Sequence, residues 1–353
     1  MILYSCFKKK CIFAIDKQND DNMMVLKIQD SLNGSRFYGD ILPSIYKSII
    51  EGDYYIDFDM HCTELANPEG LVNLMAAAAM IRNKSGYIPQ LYIPESTNLV
   101  EYMKISGFFK WAIVPGCETL RINGFMDASF KDRYRRHNYF PPQFFGVFTH
   151  SNEGTTFNKH ATNIENIVNE IIESLRNNVN ATNLISYRVF LNQSFVQVLK
   201  NSLEHNPGYK GTLAYYMFQK TPYNTIEFVC SDIGQGILER MKKMLKEKDP
   251  EAIKKYGHLE QKLNSKNLLF KEDDDNPNRL AIINAVKYRE DSEIPGLHKI
   301  KEFAREFNGV FSIHSGNYTI SYKRDLVKAI FHPDSYFSGC HLKVVMELPK
   351  SNN

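Results

Sequence analysis

Apolar residues recur along this chain at two spacings, and the switches between them mark its elements. In the first third, Tyr54-Tyr55-Ile56-Asp57-Phe58-Asp59-Met60 reads as a strand. Pro68 then opens a helix, EGLVNLMAAAAMIRNKSG, that ends at Gly86. Ile88 to Ile93 forms a second strand, and Asn98 caps a second helix that breaks near Gly107. Strands alternating with helices predict an α/β layer with parallel pairing. Beyond Pro141-Pro142, Phe144 to Thr149 opens a second set of elements. In LNQSFVQVLKNSLEHNP, Phe195, Leu199, Ser202 and Leu203 share one helical face, while Gln197, Asn201 and His205 share another. Thr225 to Cys230 alternates and is rich in β-branched residues, so it predicts a strand that carries Asp232 to its end. Asn278 to Tyr288 has helical periodicity, KIKEFAREFNG is a further helix, and Val310 to Gly316 a strand. A last alternating strand, Leu342, Val344, Met346 and Leu348, stops at Pro349.

Length and texture predict two domains, 1–125 and 141–353, joined by a linker over 126–140. A hydrophobic content of 43% is ample for buried cores, and a net charge of +3 implies neither a nucleic-acid nor an acidic-membrane partner. The basic segment Lys131 to His137 in the linker is read as a solvated stretch. The longest apolar run, Leu74 to Ile81, is too short to span a bilayer. Cys6, Cys11, Cys62, Cys117, Cys230 and Cys340 show no paired or zinc-binding spacing, and MILYSCFKKKCIF lacks the apolar core of a secretion signal. A reducing cytoplasm is the expected compartment. The run Glu272 to Asp275 lacks the spacing of a calcium loop and reads as solvated.

The candidate chemistry lies in the order of three segments. A stripe of Gln, Asn and His on one helix suits a polar ligand or hydrated metal. Gly234 and Gly236 after Asp232 let the backbone turn tightly and approach something closely. Ile294 to Ile300 then leads into a helix. Each segment alone has a bland reading, as a solvated asparagine, a turn or a helix start.

Together, NSLEH, SDIGQGI, PGLHKIKEFAREFNGVFSIHSG and SGCHLKVVMELP resemble the GHKL (histidine kinase-like) ATPases over about residues 140–350. The resemblance implies a Bergerat α/β two-layer sandwich that binds ATP with Mg2+. Asn201 would hold the metal, Asp232 would accept from the adenine amino group, and Gly234 and Gly236 would pass under the base. Gly296 and Leu297 would offer amides to phosphate, His205 would lie near the ribose or phosphates, and Cys340 would sit near the adenine. The interval 237–293 would be the ATP lid. Residues 1–125 are similar, more weakly, to a STAS domain, though Asn67, Pro68 and Glu69 stand where that family carries its phosphorylatable hydroxyl. Glu69 is read as an ordinary first-turn acid.

One departure bears directly on activity. Gln197 occupies the position where hydrolysing relatives carry a general-base Glu, and an amide cannot take the proton. General-base help, about 10²–10⁴-fold, is therefore expected to be missing. The leading expectation is a Mg-ATP-binding regulatory protein whose lid governs a protein partner or the other domain, with weak or partner-dependent hydrolysis. An anti-sigma-type kinase that phosphorylates a partner protein, and a degenerate interaction scaffold, are the alternatives. Relatives often form homodimers.

Overall fold

The helix from Pro68 to Ser85 organises the molecule, because its residues from Gly70 to Ile81 are buried on every side. A helix that is apolar all round needs a partner on more than one face. The computed structural model describes residues 16–17, 23–113, 118–123, 143–148, 165–166, 168–169, 172–173, 184–193, 214–220, 225–267, 269, 271–287 and 297–347.

The N-terminal part contains β1 (Asp16–Lys17), β2 (Met24–Lys27), β3 (Asp30–Leu32), α1 (Gly34–Arg36), a π-helical turn Phe37–Ile41, and α2 (Leu42–Glu51). It continues through β4 (Ile56–Asp59), β5 (Thr63–Ala66), α3 (Pro68–Ser85), β6 (Gln90–Tyr92), α4 (Thr97–Ile105), α5 (Phe108–Ala112) and β7 (Arg121–Asn123). Five strands form one sheet in the order β1-β2-β4-β6-β7. Its β2/β4, β4/β6 and β6/β7 pairs are parallel, as the alternation of strands and helices predicts, with β1 antiparallel at the edge. Helix α3 starts where Asn67 accepts from the Gly70 amide at 2.8 Å and ends at the left-handed Gly86. The cap of α4 is Ser96 rather than Asn98, because the helix already begins at Thr97. Gly107, with φ +81, separates α4 from α5 at the expected break.

The second sheet has seven antiparallel strands: β8 (Gln143–Phe148), β9 (Ala214–Lys220), β10 (Thr225–Asp232), β11 (Val310–Gly316), β12 (Tyr318–Lys323), β13 (Leu326–Phe331) and β14 (Phe337–Glu347). Their order is β13-β12-β11-β14-β10-β9-β8. The hairpin β12–β13 has no counterpart among the expected elements. Helix α6 spans 184–193, and between β10 and β11 come α7 (Gly236–Lys246), α8 (Pro250–Tyr256), α9 (Glu260–Leu263), α10 (Pro277–Lys287) and α11 (Leu297–Glu306). The described part of the interval 237–287 is thus largely helical, with its own small core of Leu238, Met241, Leu245, Leu259 and Leu263.

Alternation along β10 assigns the faces of this sheet. Phe228 and Cys230 pack with Tyr187 and Phe190 of α6 and with Ile300 and Ala304 of α11. Val229, together with Ile233 and Phe337, joins the core of α3, Leu26, Phe58 and Leu91. The molecule is a mixed α/β stack in which α3 lies between a largely parallel sheet and an antiparallel one, with a helical layer beyond. Among the described residues, no helix is long and apolar enough to cross a membrane.

Candidate functional site

The period of two that sends Phe228 and Cys230 toward the helical layer carries Asp232 to the same side. Register aligns Asp232 with Cys340 on β14, Cys340 with Ser315 on β11, and Ser315 with Tyr318 on β12. One cross-strand row therefore holds a carboxylate, a thiol, a hydroxyl and a phenol. The Gly234 amide donates to Asp232 Oδ1 at 2.9 Å. Burial pushes the Asp232 carboxyl up to about 6, against the pull of the Gly234 and Cys340 amides and the Arg240 guanidinium. The Cys340 thiol is raised well above its usual range by burial first and the Asp232 carboxylate second.

Two glycines let the backbone close around this row. Gly236 has φ +74, and a Cβ there would stand 2.7 Å from the Ser338 carbonyl oxygen. A Cβ on Gly339 would lie 1.8 Å from the Asp232 carbonyl oxygen, so β10 and β14 approach here as only glycine permits. Ser315 staples the turn: its hydroxyl accepts from the Ile237 amide at 3.1 Å and donates to the Gly339 carbonyl at 3.0 Å. Neither Ser315 nor Gly339 is singled out by sequence reasoning, although both stand inside the SIHSG and SGC segments.

Of the expected site residues, Asp232, Gly234, Gly236 and Cys340 come together at this turn. Leu297 is the first residue of α11 and packs against the apolar layer over the same sheet face. Gln197, Asn201, His205 and Gly296 lie outside the described residues, as does the basic segment Lys131 to His137. Helix α6 covers the Asp232 side of the sheet through Tyr187, Phe190 and Leu191.

The opposite face carries a second polar row one residue along. Ser231, His341, His314 and Thr319 are cross-strand neighbours on β10, β14, β11 and β12. The Ser231 hydroxyl meets His341 Nδ1. Thr319 Oγ1 lies 2.9 Å from both His314 Nδ1 and His332 Nε2. Tyr38, from the π-helical turn, stacks on His314 with ring centroids 4.2 Å apart. Burial lowers His341 to about 3 and His332 to about 4. It also holds His314 well below the usual imidazole range, with His341 and His332 adding to the effect. The Nε2 atoms of His314 and His341 are buried without a hydrogen-bond partner among the described residues.

Beside this row, Lys343 Nζ lies 2.7 Å from Glu69 Oε2 and 3.1 Å from Glu227 Oε1. Glu69, read from sequence as an ordinary first-turn acid, thus ties the start of α3 to β14. Burial raises Glu227, while the lysine opposes that shift. Lys343 itself is raised because the two carboxylates outweigh its burial.

A cleft of about 880 Å³ opens behind the turn, between α3 and α7, and its wall includes Ile233, Gly234 and Gln235 but neither Asp232 nor Cys340. Among the described residues, no group of three or more His, Cys, Asp or Glu is arranged to hold a metal ion. Compared with models of known protein families and with curated protein sequences, the chain matches none.

Proposed function

We propose that this protein binds Mg-ATP, with the adenine end against Asp232 and Cys340, in a GHKL-type unit that stacks on a STAS-like N-terminal layer. The observation that carries this reading is the turn at the end of β10. There a sheltered carboxylate stands beside two strands that approach within glycine distance, followed by a glycine with φ +74. A carboxylate in that position suits a neutral N–H donor such as the exocyclic amine of adenine, since it can only accept when ionised. The helical interval after the turn would be the lid, and a ligand that favours one lid position shifts the protein by its differential affinity. Asn201, which lies outside the described residues, would supply the amide oxygen for Mg2+, a hard cation that keeps several waters. With Gln197 in place of a general base, binding rather than turnover is the output, and the regulated element is the lid and whatever protein docks against it.

Titration calorimetry with ATP and ADP, with and without Mg2+, tests this reading. Asp232→Ala should cost about 10- to 100-fold in affinity, the range for a hydrogen bond to a charged group. It should spare a triphosphate whose base has no amino donor. Asn201→Ala should remove the Mg2+ dependence. Equal ATP affinity in wild type and Asp232→Ala would end the proposal.

A further inference from the structure

The cleft behind the turn has a chemistry of its own. Along α7, Glu239, Lys242, Lys243 and Lys246 fall at three- and four-residue steps and face the cleft, while Leu238, Met241 and Leu245 on the other side fill a core. Lys84, at the end of α3, completes the basic lining from the opposite wall. The lining holds four lysines against two glutamates, Glu239 and Glu260. Glu239 is already engaged with Lys242 at 2.8 Å, and Lys243 lies 3.9 Å from Glu247 one turn along α7. Lys84 and Lys246 have no carboxylate within ion-pair distance among the described residues. Positive charges on facing walls repel across the cleft, and a multivalent anion between them relieves that repulsion.

The remaining lining says what else the anion carries. The side-chain amides of Asn83 and Asn264 offer neutral donors, and Met80, Ile233 and the Tyr336 ring offer an apolar surface on which a flat body can lie. The volume, about 880 Å³, is that of a small-molecule site rather than of a macromolecular groove. Lysine ammonium groups act as separate point charges, which suits a chain of phosphates better than a single planar carboxylate.

We infer that this cleft is a second ligand site, which takes a small organic molecule bearing a pyrophosphate or longer phosphate chain. The phosphates lie between Lys84 and the lysine stripe of α7, and the organic body rests on Met80, Ile233 and Tyr336. An occupant bridges α3 to the helices that follow β10, so it fixes their spacing. The site stands independently of the nucleotide reading at Asp232, which uses the other side of the same turn.

The test uses the full chain in metal-free buffer containing EDTA, with pyrophosphate and uridine diphosphate as probes in titration calorimetry. Both probes are expected to bind, uridine diphosphate more tightly, and both to weaken at least tenfold in the Lys84→Glu/Lys246→Glu variant and with added salt. Absence of binding, or binding unchanged by the charge reversal, overturns the inference. Equal binding of a poly-glutamate peptide and uridine diphosphate overturns it in favour of an acidic protein partner. If the double reversal fails to fold, Lys246→Gln with Lys84→Gln gives the same reading through a smaller loss. Failure of the Asp232 reading shows differently, as adenosine binding indifferent to Asp232→Ala.

Discussion

The Asp232→Asn substitution keeps the shape of the side chain and an oxygen that can accept from the Gly234 amide at 2.9 Å, removes the charge, and replaces the second acceptor oxygen with a neutral NH2 donor. The fold holds this carboxyl at about 6, against an ordinary value of 3.8. A group whose folded pKa lies above its unfolded one contributes stability that is complete at low pH and lost as pH rises through the folded value. At about 1.4 kcal/mol for each pKa unit, ionised Asp232 costs the fold about 3 kcal/mol above pH 6, and somewhat less for its residual contact with water. The asparagine variant carries no such charge at any pH, so it should be the more stable protein at pH 7.5, by about 2–3 kcal/mol. Urea unfolding of both proteins from pH 4 to 8 checks this. The gap should be near zero at pH 4, widen between pH 4 and 6, and stay constant above. Adenine-nucleotide affinity should fall in the same variant, because a site retained at the expense of stability is recovered as stability when function is removed. An asparagine variant less stable than wild type at pH 7.5, or a gap independent of pH, would refute the argument that burial of this charge is what the turn imposes.

Other consequences follow from the opposite face. His314 and His341 are held neutral below their ordinary value of 6.5, so the unfolded chain takes up protons first. Their contribution is complete above pH 6.5 and is lost as pH falls below it; for His341, held at about 3, the loss is about 1.4 kcal/mol per pH unit, or about 2 kcal/mol by pH 5, and His314 adds to it in the same direction. The urea midpoint should fall over that window and fall less steeply in His341→Asn; a midpoint flat from pH 7 to 5 would contradict the cluster's neutrality. Lys343→Met leaves Glu69 and Glu227 facing each other and should destabilise by about 3–5 kcal/mol, with Glu227→Gln recovering part of the loss in a double-mutant cycle. Gly339→Ala drives a Cβ into the Asp232 carbonyl, where backbone rather than a flexible side chain must move. Circular dichroism and soluble yield should both drop in this variant, whereas Gly39→Ala, with nothing within 4 Å of its added Cβ, should leave them unchanged.

Local signals in the chain are strongest where one segment settles its own geometry. Asn67, Pro68 and Gly86 delimit α3 through capping chemistry that spans only a few residues. The alternation of β10 likewise brings Asp232 to the strand end without help from elsewhere. The partners of α3 are not legible, because an all-apolar helix announces burial without saying against what. Strand β13 escapes for the opposite reason: nearly all of its residues are exposed, so no face carries a burial rhythm. At the site, Asp232, Gly234, Gly236 and Cys340 are readable from motif order. The staple formed by Ser315 joins Ile237 across 78 residues of chain, and the Lys343–Glu69 bond spans 274. Contacts of that reach arise from register between strands, which no local window contains. The histidine row is the same case, since His314, His332 and His341 meet only after β11 and β14 pair and the chain returns from β13.

The placement of α3 also governs how this chain can be divided. Val229, Ile233 and Phe337 of the second sheet rest on the same apolar helix that fills the first. Cutting between β7 and β8 would strip an apolar surface bare on each fragment and strand Lys343 without Glu69. Fragments made at that boundary should therefore aggregate when expressed alone and regain solubility when produced together. By the same coupling, a shift of the backbone at Ile233 presses directly on the core it shares with α3.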